Sequence, residues 1–294
     1  MSSVVAATVL HPTVAWRDVF TLLKLRIDAL IVFVALAAAV AAGTRNPAVL
    51  VALAAACFAS SAGASALNHY LERETDARMR RTRHRPLPSG RIAEPRIALW
   101  LGVGLIVASP AAIPVIGVAA GVYLLAGAVT YAFVYTWWLK PRTPYSIVLG
   151  GAAGSFAALA GWQTGATTLA LAPLLLAAVL FLWTPSHFWS LAIVYESDYR
   201  AAEIPMLPAV IGAQRTASAV HANTVALVAT SLALVPLLGV VYGIAAALAG
   251  AAFLRETHAL RKHADKLHAW RTFKASGLYL LTLLVGLILS TLSL

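Results

Sequence analysis

NHYLERETDARMRRTRHRPLPSG, residues 68–90, is the most densely charged stretch of the chain and lies between two long apolar runs. If its first half is helical, Asn68, Glu72 and Asp76 fall at i, i+4 and i+8, each step advancing about 40° around the axis and ~6 Å along it. The three oxygen-bearing side chains then form one row on one face. Two carboxylates and an amide carbonyl in a row suit a hard cation such as magnesium, which takes oxygen ligands at about 2.0–2.1 Å and keeps several waters or substrate phosphates. The basic residues that follow, Arg78, Arg80, Arg81, Arg83 and Arg85, suit the phosphate oxygens that would share the metal. Pro86, Pro88 and Gly90 stop the helix and turn the chain back.

A plainer reading of the same residues is open. Glu72, Arg73, Glu74, Asp76 and Arg80 could make ordinary local ion pairs on a solvated loop. Position favours the first reading. Asn68 and Glu72 continue directly from the apolar run at 50–67, which puts them at or just inside a membrane edge, where an ionisable group is costly and marks function.

Outward from this stretch the chain is that of an integral membrane protein, with 61% hydrophobic and 11% charged residues. The net charge of +11 does not point to nucleic acid, because the basic residues fall in short loops between apolar runs. Runs of spanning length, about 17–25 residues, occur at 27–43, 48–67, 97–116, 118–138, 145–162, 169–190, 219–238, 239–254 and 273–292, with a tight turn near Pro236 and Gly239. The expectation is an all-α integral membrane protein, nine transmembrane helices in a single domain over 1–294. Of the 22 Lys and Arg, this parse leaves only Arg45 on the side opposite the basic loops. That asymmetry puts the N-terminus in the cytoplasm and the C-terminus outside, with all eleven carboxylates on or near the cytoplasmic face. Residues 1–16 contain no Lys or Arg and look like neither a secretory signal nor a transit peptide, which favours a prokaryotic plasma membrane.

The cytoplasmic loops 68–96 and 194–218 carry the polar groups of interest. In the second, Asp198 with Glu196 and Glu203 forms a further acidic set with Arg200 beside it, although a solvated loop would look the same. Two acidic clusters with nearby arginines on one membrane face are what a site needs to hold a diphosphate through magnesium ions. His187 stands among Trp183, Phe188 and Trp189 inside an apolar run, either as a buried hydrogen-bonded residue or as a ligand. Lys140 and Arg142 end the fourth run as membrane anchors or as further diphosphate contacts. The aromatics before them, Tyr131, Tyr135, Trp137 and Trp138, are belt residues or the ring faces that stabilise a cation. His258, His263 and His268 do not share a helical face, and Cys57 is expected as a small buried hydrophobe. Gly- and Ala-rich stretches such as GGAAGSFAALAG, residues 150–161, predict close helix approach.

These residues resemble a known family. Asn68-x3-Glu72-x3-Asp76, followed by Arg81-Thr82 and Arg85-Pro86-Leu87-Pro88-Ser89-Gly90, is similar to the first signature of the UbiA-type intramembrane prenyltransferases. Glu72, the Asp76-x2-Met79-x-Arg81-Thr82 run, His187–Trp189, Asp198-Tyr199 and Ile204–Pro208 resemble the heme O synthase (protoheme IX farnesyltransferase) branch in particular. The likeness extends more weakly from Lys24 and Arg26 through VYTWWLKPRTP to Trp162. It departs at Leu25, where the family usually has proline, at Ser146, commonly asparagine, and at Ser186, often proline. Val194 occupies the first position of the superfamily's second DxxxD motif, so a second metal site would rest on Asp198 with help from Glu196 or Tyr195.

The resemblance implies a nine-helix fold around a central cavity and transfer of a farnesyl group from farnesyl diphosphate to a vinyl group of heme B. Water addition then gives a hydroxyethylfarnesyl product. It also implies a metal set of Asn68, Glu72, Asp76 and Asp198, a diphosphate set of Arg81, Arg85, Lys140, Arg142 and Arg200, and heme contacts at His187 and Trp189. Expected companions are Mg2+, the lipid bilayer, and heme A synthase or oxidase assembly factors. Two rivals are a sister prenyltransferase acting on an aromatic or quinone-precursor acceptor, expected to carry aspartate at position 72, and a transporter, expected to show inverted repeats and midplane polar groups.

Overall fold

The computed structural model describes residues 14–166, 168 and 170–292, and every regular element among them is helical. A short helix α1 (Trp16–Leu23) leads through Lys24 into α2 (Leu25–Ala41). Then come α3 (Pro47–Arg78), α4 (Arg96–Ile116), α5 (Val118–Leu139), a helix divided at Gly151 into α6 (Ser146–Gly150) and α7 (Ala152–Gln163), and α8 (Leu171–Val194). The short α9 (Glu196–Ala201) and α10 (Leu207–Ile211) precede three long helices, α11 (Ala213–Leu238), α12 (Val240–His263) and α13 (Lys266–Leu292). Seven of these, α3, α4, α5, α8, α11, α12 and α13, are long and apolar enough to cross a membrane. The other two expected spans are the shorter α2 and the divided pair α6–α7. The start expected at 169 and residues 1–13 lie outside the described residues.

Local chemistry sets the ends. Asn46 caps α3 by accepting the Ala48 N–H at 2.9 Å, with Pro47 in the first position, where its missing N–H has no cost. The turns after α4 and before α12 are made by Gly117 and Gly239, both at φ +87°, where a side chain would be strained. The Gly239 turn is the one expected from sequence. Helix α3 runs eleven residues past the apolar stretch that ended at Leu67, so the first half of the charged segment is helical, as its spacing requires.

Small residues let backbones touch. A methyl group on Gly63 would lie 2.7 Å from the Gly102 carbonyl oxygen, and one on Gly161 only 1.9 Å from that of Ala35. Helix α2 is thereby clamped against α7 and packs also on α3 and α13. Pro185 interrupts the hydrogen-bond ladder inside α8. With the small residues taking up the tight contacts, the larger side chains of α2, α3, α5, α8 and α13 surround a cavity of about 580 Å³.

Candidate active site

Asn68, Glu72 and Asp76 all line one end of this cavity and are buried, Asp76 completely. Each is met by a cation from elsewhere in the chain. The Lys24 ammonium donates to Asn68 Oδ1 at 2.5 Å and to the Tyr131 hydroxyl at 3.2 Å. Lys140 pairs with Glu72, and Arg85 Nη1 lies 2.6 Å from Asp76 Oδ2. The Asn68 amide also donates to Thr136 Oγ1 at 3.0 Å, which fixes its carbonyl toward Lys24. The solvated-loop reading therefore holds only for the outer face of α3, where Arg73 and Glu74 pair at 3.0 Å.

The electrostatics follow from this crowding. Burial, with Arg85 and Lys140 close by, lowers the Lys24 ammonium to about 7 despite the opposing pull of Glu72. Burial works against the charged form of Lys140 too, but Glu72, as charge and hydrogen-bond partner, together with Tyr199 and Tyr131 raises Lys140 on balance. Arg81, which also lines the cavity, stacks its guanidinium over the Tyr195 ring at 5.1 Å.

Lys140 reaches Glu72 because the last ten residues of α5, Thr130–Leu139, form a π-helix, with the Lys140 N–H donating to Tyr135 O. At 100° per residue, Tyr131 and Lys140, nine apart, would face opposite ways. The wider i→i+5 turn brings nine residues close to two full turns, so Tyr131, Tyr135 and Lys140 all line the cavity. Such widened turns are frequent at functional sites.

The remaining site residues expected from sequence divide. Asp198 is buried but accepts the Arg81 backbone N–H at 3.0 Å, bracing the loop after α3 rather than lining the cavity. Arg200 pairs with Glu196 at 2.8 Å on the exposed surface, and Arg78 lies 3.7 Å from Glu203 there. Arg142 donates to the Trp138 and Trp137 carbonyls at 2.7 and 3.1 Å, closing the end of α5. Trp137 and Trp138 are exposed, as belt residues are. Arg142 and Arg200 thus stand apart from the cations that line the cavity, and Lys24 takes a place there that the sequence had not assigned.

A further part of the cavity wall is aromatic. His187 lies between Trp183 and Phe273, each with ring centroids 4.3 Å away, and Phe188 meets it edge-on at 5.3 Å. Its Nδ1 is held by Ser276 Oγ at 2.6 Å, and Trp183 Nε1 donates to the Ser276 carbonyl at 2.8 Å. Trp189 is packed with Ile147, Ile193 and Leu207 behind the wall, not on it. His258 and His263 lie on α12 and His268 on α13; His268 pairs with Asp265 at 2.8 Å and stacks on His263, while His258 neighbours His221.

Among the described residues no three His, Cys, Asp or Glu side chains converge as a ready-made metal cluster. The carboxylate row nonetheless fits a magnesium ion that brings its own phosphate and water ligands. Asp76 Oδ1 is buried with no hydrogen-bond partner, which is costly unless something positive meets it.

Residues 29–286 match the UbiA prenyltransferase family. The chain is 43% identical over 277 residues to protoheme IX farnesyltransferase 1 of Paramagnetospirillum magneticum, covering 92% of this chain and 97% of that one. It is 41% identical over 288 residues to the protoheme IX farnesyltransferase of Rhizorhabdus wittichii, covering 94% and 93%. Among solved structures it is similar to a digeranylgeranylglyceryl phosphate synthase, with a TM-score of 0.77 at 17% identity over 95% of this chain and 99% of that one. It is also similar to a UbiA homologue from Archaeoglobus fulgidus bound to GPP and Mg2+, with a TM-score of 0.66 at 16% identity over 92% and 99%. In sequence over nearly its full length, and in fold, the chain belongs to the UbiA prenyltransferase family.

Proposed function

We propose that the protein transfers a farnesyl group from farnesyl diphosphate to a vinyl group of heme B, with addition of water, giving heme O and diphosphate. Identity above 40% to protoheme IX farnesyltransferases over nearly the whole of both chains carries the choice of substrates. The site supports it. A cavity with a polar, cation-rich end and otherwise apolar and aromatic walls suits a substrate with a diphosphate head and an apolar tail.

Asn68, Glu72 and Asp76 are the residues that would hold Mg2+, with Asp198 ordering the loop that carries Arg81. When bound, the ion would draw electron density from the diphosphate oxygens and help that group leave. Arg81, Arg85, Lys140 and Lys24 take up the charge of the departing diphosphate, which preorganised cations in a low-dielectric site do best. The Tyr131 and Tyr135 ring faces stabilise the allylic cation, and the apolar walls of the cavity keep bulk water from it. His187, its Nδ1 engaged by Ser276, offers Nε2 to the heme iron. On this reading α2 and α6–α7 complete nine spans in a plasma membrane, with the N-terminus and the site mouth cytoplasmic, the side that the basic loops favour.

The test is to incubate the detergent-purified protein with heme B, farnesyl diphosphate and magnesium, with and without chelator, and analyse the heme by mass spectrometry. A magnesium-dependent hydroxyethylfarnesyl heme is expected. Prenylation of an aromatic acceptor with no heme adduct would overturn the assignment of the acceptor.

A further inference from the structure

One acidic group behind the cavity wall has no part in the scheme above. Asp28, in the first turn of α2, is completely buried. Its Oδ1 accepts from Ser61 Oγ at 2.5 Å and from Ser65 Oγ at 3.5 Å, while Oδ2 has no partner. Both serines line the cavity. Ser61 precedes Asn68 by seven residues, so this pair sits ~10 Å along α3 from the carboxylate row, toward the bundle interior. The preceding residue, Ser60, by contrast donates to a backbone carbonyl, that of Leu124, at 2.8 Å. A buried carboxylate with no ion-pair partner among the described residues is expensive in a spanning helix and marks function.

We propose that Ser61 and Asp28 hold the water that adds to the acceptor and take its proton, a role that rests on the farnesyl-transfer reading. The vinyl π pair forms the carbon–carbon bond to farnesyl C1 and leaves the positive charge on the vinyl carbon attached to the porphyrin ring. A lone pair of the water oxygen forms the carbon–oxygen bond there. One water proton passes to Ser61 Oγ as the Ser61 proton passes to Asp28 Oδ1, so the product carries a neutral hydroxyl and the carboxylate ends protonated. The location suits the order of events, because the new cation forms beyond the diphosphate end, where the carboxylate row no longer reaches. Without this acceptor the same cation discharges by losing a proton from the adjacent methylene, giving an alkene lighter by one water.

The experiment uses the full chain in detergent with heme B, farnesyl diphosphate and magnesium in heavy-oxygen water, and resolves hydrated from anhydro adducts by mass. For Asp28→Asn and Ser61→Ala the ratio of hydrated to anhydro product is expected to fall by about 10²-fold, the usual contribution of a positioned base. Total adduct should persist, and Asp28→Glu should restore most of the ratio. Because the ratio does not depend on how much enzyme is folded, it reads the role even in a poorly folding variant. An unchanged ratio in both variants overturns the proposal, as does a proportional loss of both products. A wild-type protein that forms no hydrated heme adduct overturns the farnesyl-transfer reading itself.

Discussion

The close approach of α2 and α7 gives a sharp prediction through Gly161→Ala. The new methyl group would start 1.9 Å from the Ala35 carbonyl oxygen, with the Ala35 carbonyl carbon at 2.7 Å and Cα at 3.0 Å, all of them backbone atoms that no rotamer change can move. An ordinary carbon–oxygen contact is about 3.3 Å, so the helices must part by roughly 1.4 Å. A radial gap of about 0.5–1 Å already forfeits a quarter to a half of the dispersion well, so contacts among Ala35, Ala38, Ala39, Ala157, Ala158 and Ala160 weaken together. Overpacking of this kind costs about 3 kcal/mol, against a gain of about 1 kcal/mol in helix propensity. Gly154→Ala is the control. It lies in the same helix, gains the same propensity, and meets nothing within 4 Å. Thermal unfolding of both variants in one detergent at one scan rate, followed by far-ultraviolet circular dichroism, should place Gly161→Ala roughly 4–8 °C below wild type. Gly154→Ala should match or slightly exceed wild type. Equal midpoints for the two variants would refute the contact.

Other expectations concern the site. Asp76→Asn should lower turnover by about 10²–10³-fold while leaving the unfolding midpoint near wild type; steady-state kinetics with a magnesium titration checks this, and an unchanged rate would remove Asp76 from the metal set. Arg85→Ala should reduce kcat/KM for farnesyl diphosphate by about 30-fold or more and also destabilise, because it strands a buried carboxylate. Arg142→Ala and Arg200→Ala, outside the cavity, should stay within about twofold of wild type in the same assay. His187→Ala should raise KM for heme and abolish the shift in the heme Soret band on binding, with KM for farnesyl diphosphate unaffected; an intact band shift would exclude iron ligation by His187.

What was legible in the sequence was whatever a single helix or the membrane imposes locally. The i, i+4, i+8 row of Asn68, Glu72 and Asp76 follows from helical periodicity alone, and the structure places all three on one cavity wall. The Gly239 turn and the close contacts of the Gly- and Ala-rich helices were readable because glycine permits what other residues cannot. Lys140 was recognisable as a candidate, but its reach to Glu72 depends on a π-helical segment that ordinary periodicity does not reveal.

Pairing across the bundle was decided only by the tertiary structure. Arg81 and Arg85 look in sequence like Arg142 and Arg200, yet the first two face the cavity and the others close a helix end or pair on the surface. Lys24 and Asn68 are 44 residues apart, and Asp28 and Ser61 are 33 apart. Counted by charge, Asp28 was simply one more carboxylate near the cytoplasmic side, whereas packing of α2 on α3 buries it against two serines of the cavity wall. Periodicity states which face of a helix a residue occupies; only the packing of helices states what that face meets.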